Sequence, residues 1–166
     1  MARHDAVAAR LAKVLEPSPR ADAVSIIALL CASLTESEAI AAASRLRLSH
    51  AQIERVAQVN RLGRMEAQLS EASLKPSAVA HLLDAFDEEP LRLARVVFIS
   101  ETARDHVARY VTEWRAVRPM LDGHRLQAIG IPRGPLYRDI LAGLRAARRD
   151  GEVTTVEEEE KLAWVI

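Results

Sequence analysis

The sequence predicts an all-α protein: a helical body of about six to seven helices followed by a small C-terminal helical tail. Three observations carry this expectation. Ala, Leu, Arg and Glu are abundant while aromatic residues make up 4% of the chain, a balance that suits helices better than strands. Apolar residues recur three and four apart, and no stretch sustains the apolar-polar alternation of a strand. Helix-start signals are also frequent and well placed.

Taken in order, a first amphipathic helix is expected at about residues 3 to 15, and "EPSPR" at 16 to 20 separates it from a strongly apolar helix near 21 to 33. Thr35 with Glu38 makes a capping-box pattern ahead of a helix ending near Leu46. Ser49 with Gln52 repeats it, opening a long helix near 50 to 69 on which Ile53, Val56, Val59 and Leu62 recur at helical spacing. Pro76, after Lys75, starts a helix near 76 to 86, because proline lacks only an N–H that the first turn would orphan anyway. "DEEP" at 87 to 90 begins the next, with its acids where the helix dipole favours them.

A long helix from about 102 to 119 then places Val107, Tyr110, Val111, Trp114 and Val117 on one face, within about 120° of arc. Arg104, Arg115 and Arg118 fall along its flank. Such a flank can track phosphates, or simply lie over the edge of the apolar stripe with its charged heads in water. From Met120 the texture changes: "MLDGHRLQAIGIPRGP" carries three glycines and two prolines. The chain therefore divides into an N-terminal helix and linker at 1–21, a helical body at 22–118 and a tail at 119–166. In the tail, Gly134-Pro135 starts a helix on which Tyr137, Ile140, Leu141 and Leu144 share a face, while Arg138, Arg145 and Arg149 line one side. Asp150-Gly151 ends it before an acidic final helix.

With 166 residues, 49% of them hydrophobic, the chain can bury a core. No apolar run approaches the roughly 20 residues needed to span a bilayer, and the N-terminus lacks the apolar core of a signal peptide. A cytoplasmic protein without a membrane partner is expected. Cys31, single and set among Leu29, Leu30 and Ala32, reads as a buried thiol acting as a small hydrophobe.

Formal charge is zero, with 23 basic and 23 acidic residues, but its distribution is uneven. Arg115 to Arg149 holds eight arginines against Asp122 and Asp139, a net +6, and Asp150 to Lys161 carries a net −5. This asymmetry fits a polyanion-binding surface with an acidic boundary, or equally two solvated helix faces of opposite sign. Of the basic residues 20 are arginine, the side chain that grips phosphate in two-pronged fashion.

Several chemistries are set aside. "GIPRGP" at 130 to 135 lacks the Lys-Ser/Thr of a P-loop and the strand and third glycine of a dinucleotide fingerprint. The five histidines have no i, i+4 pair to ligate a metal, and no Gly-x-Ser-x-Gly nucleophile turn is present. Glu157 to Glu160 point in successive directions around a helix and complement its N-terminal dipole. What remains is an anion site at the start of the tail helix, with Arg133 and Arg138 close to its free backbone donors. Along that helix Arg138, Arg145 and Arg149 form a stripe able to follow a phosphate backbone; Arg148 and Arg149 equally complement the helix C-terminal dipole.

The order "GIPRGPLYRDIL" (130 to 141), then "RRDGEVTTVEEEE" (148 to 160), resembles the C-terminal tail of bacterial CCA-adding enzymes and poly(A) polymerases of the class II tRNA nucleotidyltransferase family. "ASRLRLSHAQIERV" (43 to 56) and "LKPSAVAHLLD" (74 to 84) are similar to segments of that family's helical body, in the same order. Arg133 and Tyr137-Arg138 depart from the family's usual residues and make the Gly-Pro turn more basic. The family's catalytic head, with its Gly-Ser motif, its Asp-x-Asp pair for two magnesium ions and its nucleotide-selecting Arg motif, is missing from this sequence.

The resemblance implies a body and tail that hold the acceptor stem and T arm of tRNA, the partner, by phosphate and shape contacts. Such A-form recognition needs neither a base code nor an aromatic platform, and most of the few aromatic residues read as buried. The expected RNA-binding residues are Arg133, Arg138, Arg145 and Arg149, with Arg115, Arg118 and Arg125 as a second group. No catalytic or metal-ligating residue and no cofactor is expected in this chain; Mg2+ and CTP or ATP would belong to the head. The alternative is a protein-interaction or dimerisation module that self-associates through its apolar N-terminal helices and binds no RNA.

Overall fold

The computed structural model describes residues 22–166; the helix expected at 3–15 and the linker to residue 21 lie outside the described residues. Among the described residues every regular element is helical, as expected: ten α-helices and one π-helical turn. They are α1 (Ala23–Cys31), α2 (Glu36–Arg45), α3 (His50–Arg64), α4 (Glu66–Leu69), α5 (Pro76–Leu83), α6 (Glu88–Val97), α7 (Glu101–Arg109), the π turn (Tyr110–Trp114), α8 (Gly123–Ala128), α9 (Leu136–Arg149) and α10 (Val156–Ala163).

The anticipated starts form as physical caps. Thr35 and Ser49 each accept from the backbone three residues on, and Glu38 and Gln52 return the bond, so both capping boxes close. Pro76 stands in the first turn of α5. Two expected helices are shorter than their patterns. The one near 50–69 breaks at Met65, where α3 ends and the four-residue α4 begins. The one near 102–119 is α-helical only to Arg109, then widens into the π turn and stops at Trp114. A π turn adds a residue per turn, which helical spacing alone does not reveal.

The chain forms two compact units. Of the described residues, the first comprises 22–73 together with Ala85–Val111, and the second comprises Leu74–Asp84 and Thr112–Ile166. α5, whose residues the sequence reading assigns to the body at 22–118, falls in the second unit. The reason is a set of ties to the end of α9: Ser77 donates from its N and Oγ to Asp150 at 2.7 and 2.6 Å, and Lys75 Nζ reaches Glu152 at 2.9 Å.

In the first unit α3 is central, packed by α1, α2 and α6. Val56 and Val59 of α3 meet Ala28, Leu29, Ala39, Ala43 and Leu93 in its core, and Cys31 is buried with them. Burial pushes the Cys31 thiol above its usual range, as expected of a structural cysteine. Polar groups on α3 satisfy the ends of its neighbours: Asn60 Nδ2 donates to the carbonyls of Cys31 and Leu34 at 3.2 and 2.7 Å. Gln58 exchanges two bonds with Asp87 at the start of α6, at 3.0 and 3.1 Å. α2 ends with Arg47 in the left-handed region at φ 55, where Leu48 N–H closes onto Ala43 O at 3.2 Å, a Schellman ending that usually takes glycine.

In the second unit Ile140 and Leu144 of α9 pack with Leu121, Leu126, Ile131 and Ala163, with Tyr137 and Leu141 against them. This is the apolar face expected for the tail helix. Tyr137 Oη donates to Ile131 O at 2.8 Å and fastens the loop that leads into α9. Gly151, at φ +73, ends α9: its N–H reaches Arg148 O at 3.2 Å while Glu152 N–H reaches Ala147 O at 2.9 Å.

Candidate nucleic-acid interface

The second unit carries all seven expected RNA-binding arginines, and the fold sorts them by task. Arg149 is turned inward, with only 5% of its side chain exposed. Its Nη1 and Nη2 donate to the two carboxylate oxygens of Asp84, each at 3.0 Å, and its Nε donates to Trp114 O at 3.1 Å. Arg145, half-buried, donates from Nε to Val117 O at 3.0 Å and from Nη2 to Arg115 O at 3.2 Å. Both therefore supply donors to the carbonyls at the exit of the π turn, where a helix runs out of N–H groups of its own. The proposed stripe of Arg138, Arg145 and Arg149 does not exist as a continuous exposed row: the second and third members are spent on internal bonds.

The second group is similarly divided. Arg118 is exposed but its Nη1 curls back onto Arg115 O and Val117 O at 2.8 and 2.9 Å. Arg115 is half-buried, its Nη1 enclosed without a hydrogen-bond partner among the described residues. Arg125 keeps 56% of its side chain exposed while pairing with Glu160 at 2.8 Å. An exposed pair of this kind is weak and exchangeable. Arg148 turns to Glu159, which is wholly buried and accepts from Arg148 Nη1 at 3.1 Å and from the N–H groups of Met120 and Leu121 at 2.9 Å. Glu159 is thus an interior anchor, beyond the dipole role read from the acidic run.

Two arginines remain outward. Arg133 stands exposed in the loop at residues 130–135. Arg138, on the first turn of α9, has 91% of its side chain in water, and its nearest acid is Asp139 at 3.7 Å. They flank the start of α9, where Pro135 occupies the N-cap position without a side-chain cap bond. At the other end of the loop that carries Arg133, Gly130 lies against a residue that sequence reasoning did not single out. Trp164 is 61% exposed, and a side-chain carbon at Gly130, were there one, would sit 3.8 Å from its Cη2 and Cζ2. Gly130 takes φ +96 there, so the loop at 130–135 begins at the edge of the indole.

An open groove of about 580 Å³ runs past Met120, Leu121, Asp122, His124, Arg125, Ala128 and Val156. Its one carboxylate is already engaged: Asp122 caps α8 through Arg125 N–H at 2.9 Å, a bond that holds its pKa below the usual range. Among the described residues no group of three or more His, Cys, Asp or Glu side chains converges to hold a metal ion. No helix among them is long and apolar enough to cross a membrane.

An A-adding tRNA nucleotidyltransferase of Geobacter sulfurreducens is 39% identical to this chain over 64 residues, which make up 39% of the chain and 7% of that protein. The relationship to a tRNA nucleotidyltransferase is therefore partial and distant, and the match spans a small fraction of the relative's length. No family model matches the chain, and no solved structure matches it.

Proposed function

We propose that this chain is an RNA-binding helical region of the tRNA nucleotidyltransferase type, holding the acceptor stem and T arm of tRNA by phosphate and shape contacts, with nucleotidyl transfer itself the task of a catalytic head of that type rather than of these helices. The observation that carries the reading is the pair Arg133 and Arg138, exposed at the glycine-proline turn and at the start of α9 with no strong partner among the described residues. Guanidiniums so placed can each hold a phosphate in two-pronged fashion. The free backbone donors of the first turn of α9 add to the attraction. The partial identity to an A-adding tRNA nucleotidyltransferase supports tRNA as the polyanion.

Filter binding of a tRNA transcript across a salt series tests the reading. Binding at low salt that weakens steeply with salt, and a shallower slope in the Arg133→Ala/Arg138→Ala double variant, are expected. Absence of binding at low salt, or a slope indifferent to both substitutions, refutes it.

A second reading, self-association, draws on the first unit, where Leu30 and Leu46 are 62% and 58% exposed. Light scattering across a concentration series separates the two: a mass that stays at one chain refutes this one.

A further inference from the structure

Trp164 is the large aromatic that this fold leaves most open: it is 61% exposed, whereas Tyr110, Phe98, Trp114 and Phe86 are buried. It is also fixed in place. It caps the C-terminal end of α10, and its ring edge rests against the backbone of Gly130. Three residues further along the same loop stands Arg133, within about 11 Å of chain, and the exposed Arg138 follows on the first turn of α9. An oriented indole beside outward guanidiniums is the arrangement by which proteins take hold of a nucleotide whose base is not stacked in a helix: the arginines hold phosphate and the ring covers the base.

We propose that Trp164 stacks on an unpaired base of the bound RNA, next to phosphates held by Arg133 and Arg138. The inference rests on the RNA-binding reading and sharpens it, because it names a single-stranded or looped nucleotide, rather than A-form duplex alone, as what this end of the second unit recognises. The exposed Val165 and Ile166 beside it make a second copy of the chain the competing occupant. The local charge favours RNA, since the loop and first turn next to the ring offer two outward arginines against the single neighbouring Asp139.

The test compares the full chain with Trp164→Leu and Trp164→Tyr, after circular dichroism has confirmed unchanged helix content, against a tRNA transcript and against long poly(A)·poly(U) duplex. Tryptophan emission in the parent is expected to fall on adding tRNA and to hold on adding duplex. Trp114 is present in the parent and both variants, so a tRNA response that disappears in Trp164→Leu belongs to Trp164. That variant is expected to bind tRNA about tenfold more weakly with an unchanged salt slope, the signature of a missing stack rather than a missing phosphate grip, and Trp164→Tyr to retain most of the affinity. Salt-sensitive tRNA binding with equal affinity in Trp164→Leu, or equal quenching by tRNA and duplex, overturns the stacking proposal and leaves the RNA-binding reading intact. No binding by the parent overturns both. Emission that shifts with protein concentration in the absence of RNA assigns the ring to self-association and overturns the proposal.

Discussion

Arg149 grips Asp84 through two parallel hydrogen bonds of 3.0 Å each, and the same guanidinium closes the carbonyl of Trp114. One side chain thereby ties α5 and the exit of the π turn to α9. Removing it takes one donor from the Trp114 carbonyl and two from the Asp84 carboxylate.

Arg149→Ala is accordingly expected to lower stability by about 2 kcal/mol, between the roughly 0–1 of a surface pair and the roughly 3–5 of a fully buried one, because Asp84 is 37% exposed. Arg149→Lys does not restore it, since an ammonium cannot span both oxygens and the carbonyl in one plane. Arg138→Ala, on the same helix but in open water, stays within about 0.5 kcal/mol. Urea unfolding of the three variants checks the ranking.

Where helices begin and end was legible in the sequence wherever a local pattern dictates it. Thr35 with Glu38, Ser49 with Gln52, Pro76 and Gly151 act on backbone groups one to four residues away, so spacing alone reveals them. The role of each arginine was not legible, because it is set by partners far along the chain. Arg149 and Asp84 are 65 residues apart, and periodicity places Arg149 on the same flank as Arg138 without saying that one faces protein and the other water. That α5 groups with the tail residues was not legible for the same reason, since Ser77 and Asp150 are 73 apart. The open Trp164 was concealed by the general tendency of aromatic residues to be buried.

Glu159 is wholly buried and receives Arg148 together with the N–H groups of Met120 and Leu121. Glu159→Ala strands all three donors, and a loss of about 3 kcal/mol or more is expected. Glu160→Ala, one residue on, removes only a surface pair with Arg125 and costs about 0.5 kcal/mol. Thermal unfolding of both variants decides whether the acidic run is an interior anchor or merely a charged face.

Arg47 holds a left-handed backbone at φ 55 where α2 ends. Glycine adopts that conformation without the Cβ strain, so Arg47→Gly is expected to raise stability by roughly 0.5–1 kcal/mol despite the loss of a side chain. A lower urea midpoint would mean that the arginine side chain makes a compensating interaction.

The cap of α10 predicts an acid-sensitive element. The Glu158 carboxylate accepts from Thr154 N–H at 2.7 Å, from Thr155 N–H at 3.1 Å and from Thr154 Oγ1 at 3.1 Å. These bonds, led by the one from Thr154 N–H, hold its pKa below the ordinary 4.5. A depressed carboxylate contributes stability that is fully present above its unfolded pKa and is lost as pH falls through the folded one. The contribution of Glu158 is therefore complete at neutral pH and begins to disappear below about pH 4.5. Glu158→Ala should lower stability at pH 7 and approach the parent in strong acid, so the gap between their unfolding midpoints narrows as pH falls below about 4.5. A gap that is constant across this range would show that the carboxylate charge plays no part in the cap.

The last prediction separates outward from inward arginines by salt rather than by stability. Deleting one arginine–phosphate pairing lowers the dependence of log affinity on log salt by roughly 0.7–1. Arg133→Ala and Arg138→Ala are each expected to reduce the tRNA slope by about that amount with stability unchanged, because neither makes an internal tie of the kind that holds Arg149. Arg125→Ala should reduce it less, since its guanidinium first has to leave Glu160 at 2.8 Å. Arg149→Ala should leave the slope alone once the chain is shown to be folded under the assay conditions, because its guanidinium is committed to Asp84 and Trp114. A slope that falls for Arg149→Ala and holds for Arg138→Ala would invert the sorting and place the RNA surface elsewhere on the chain.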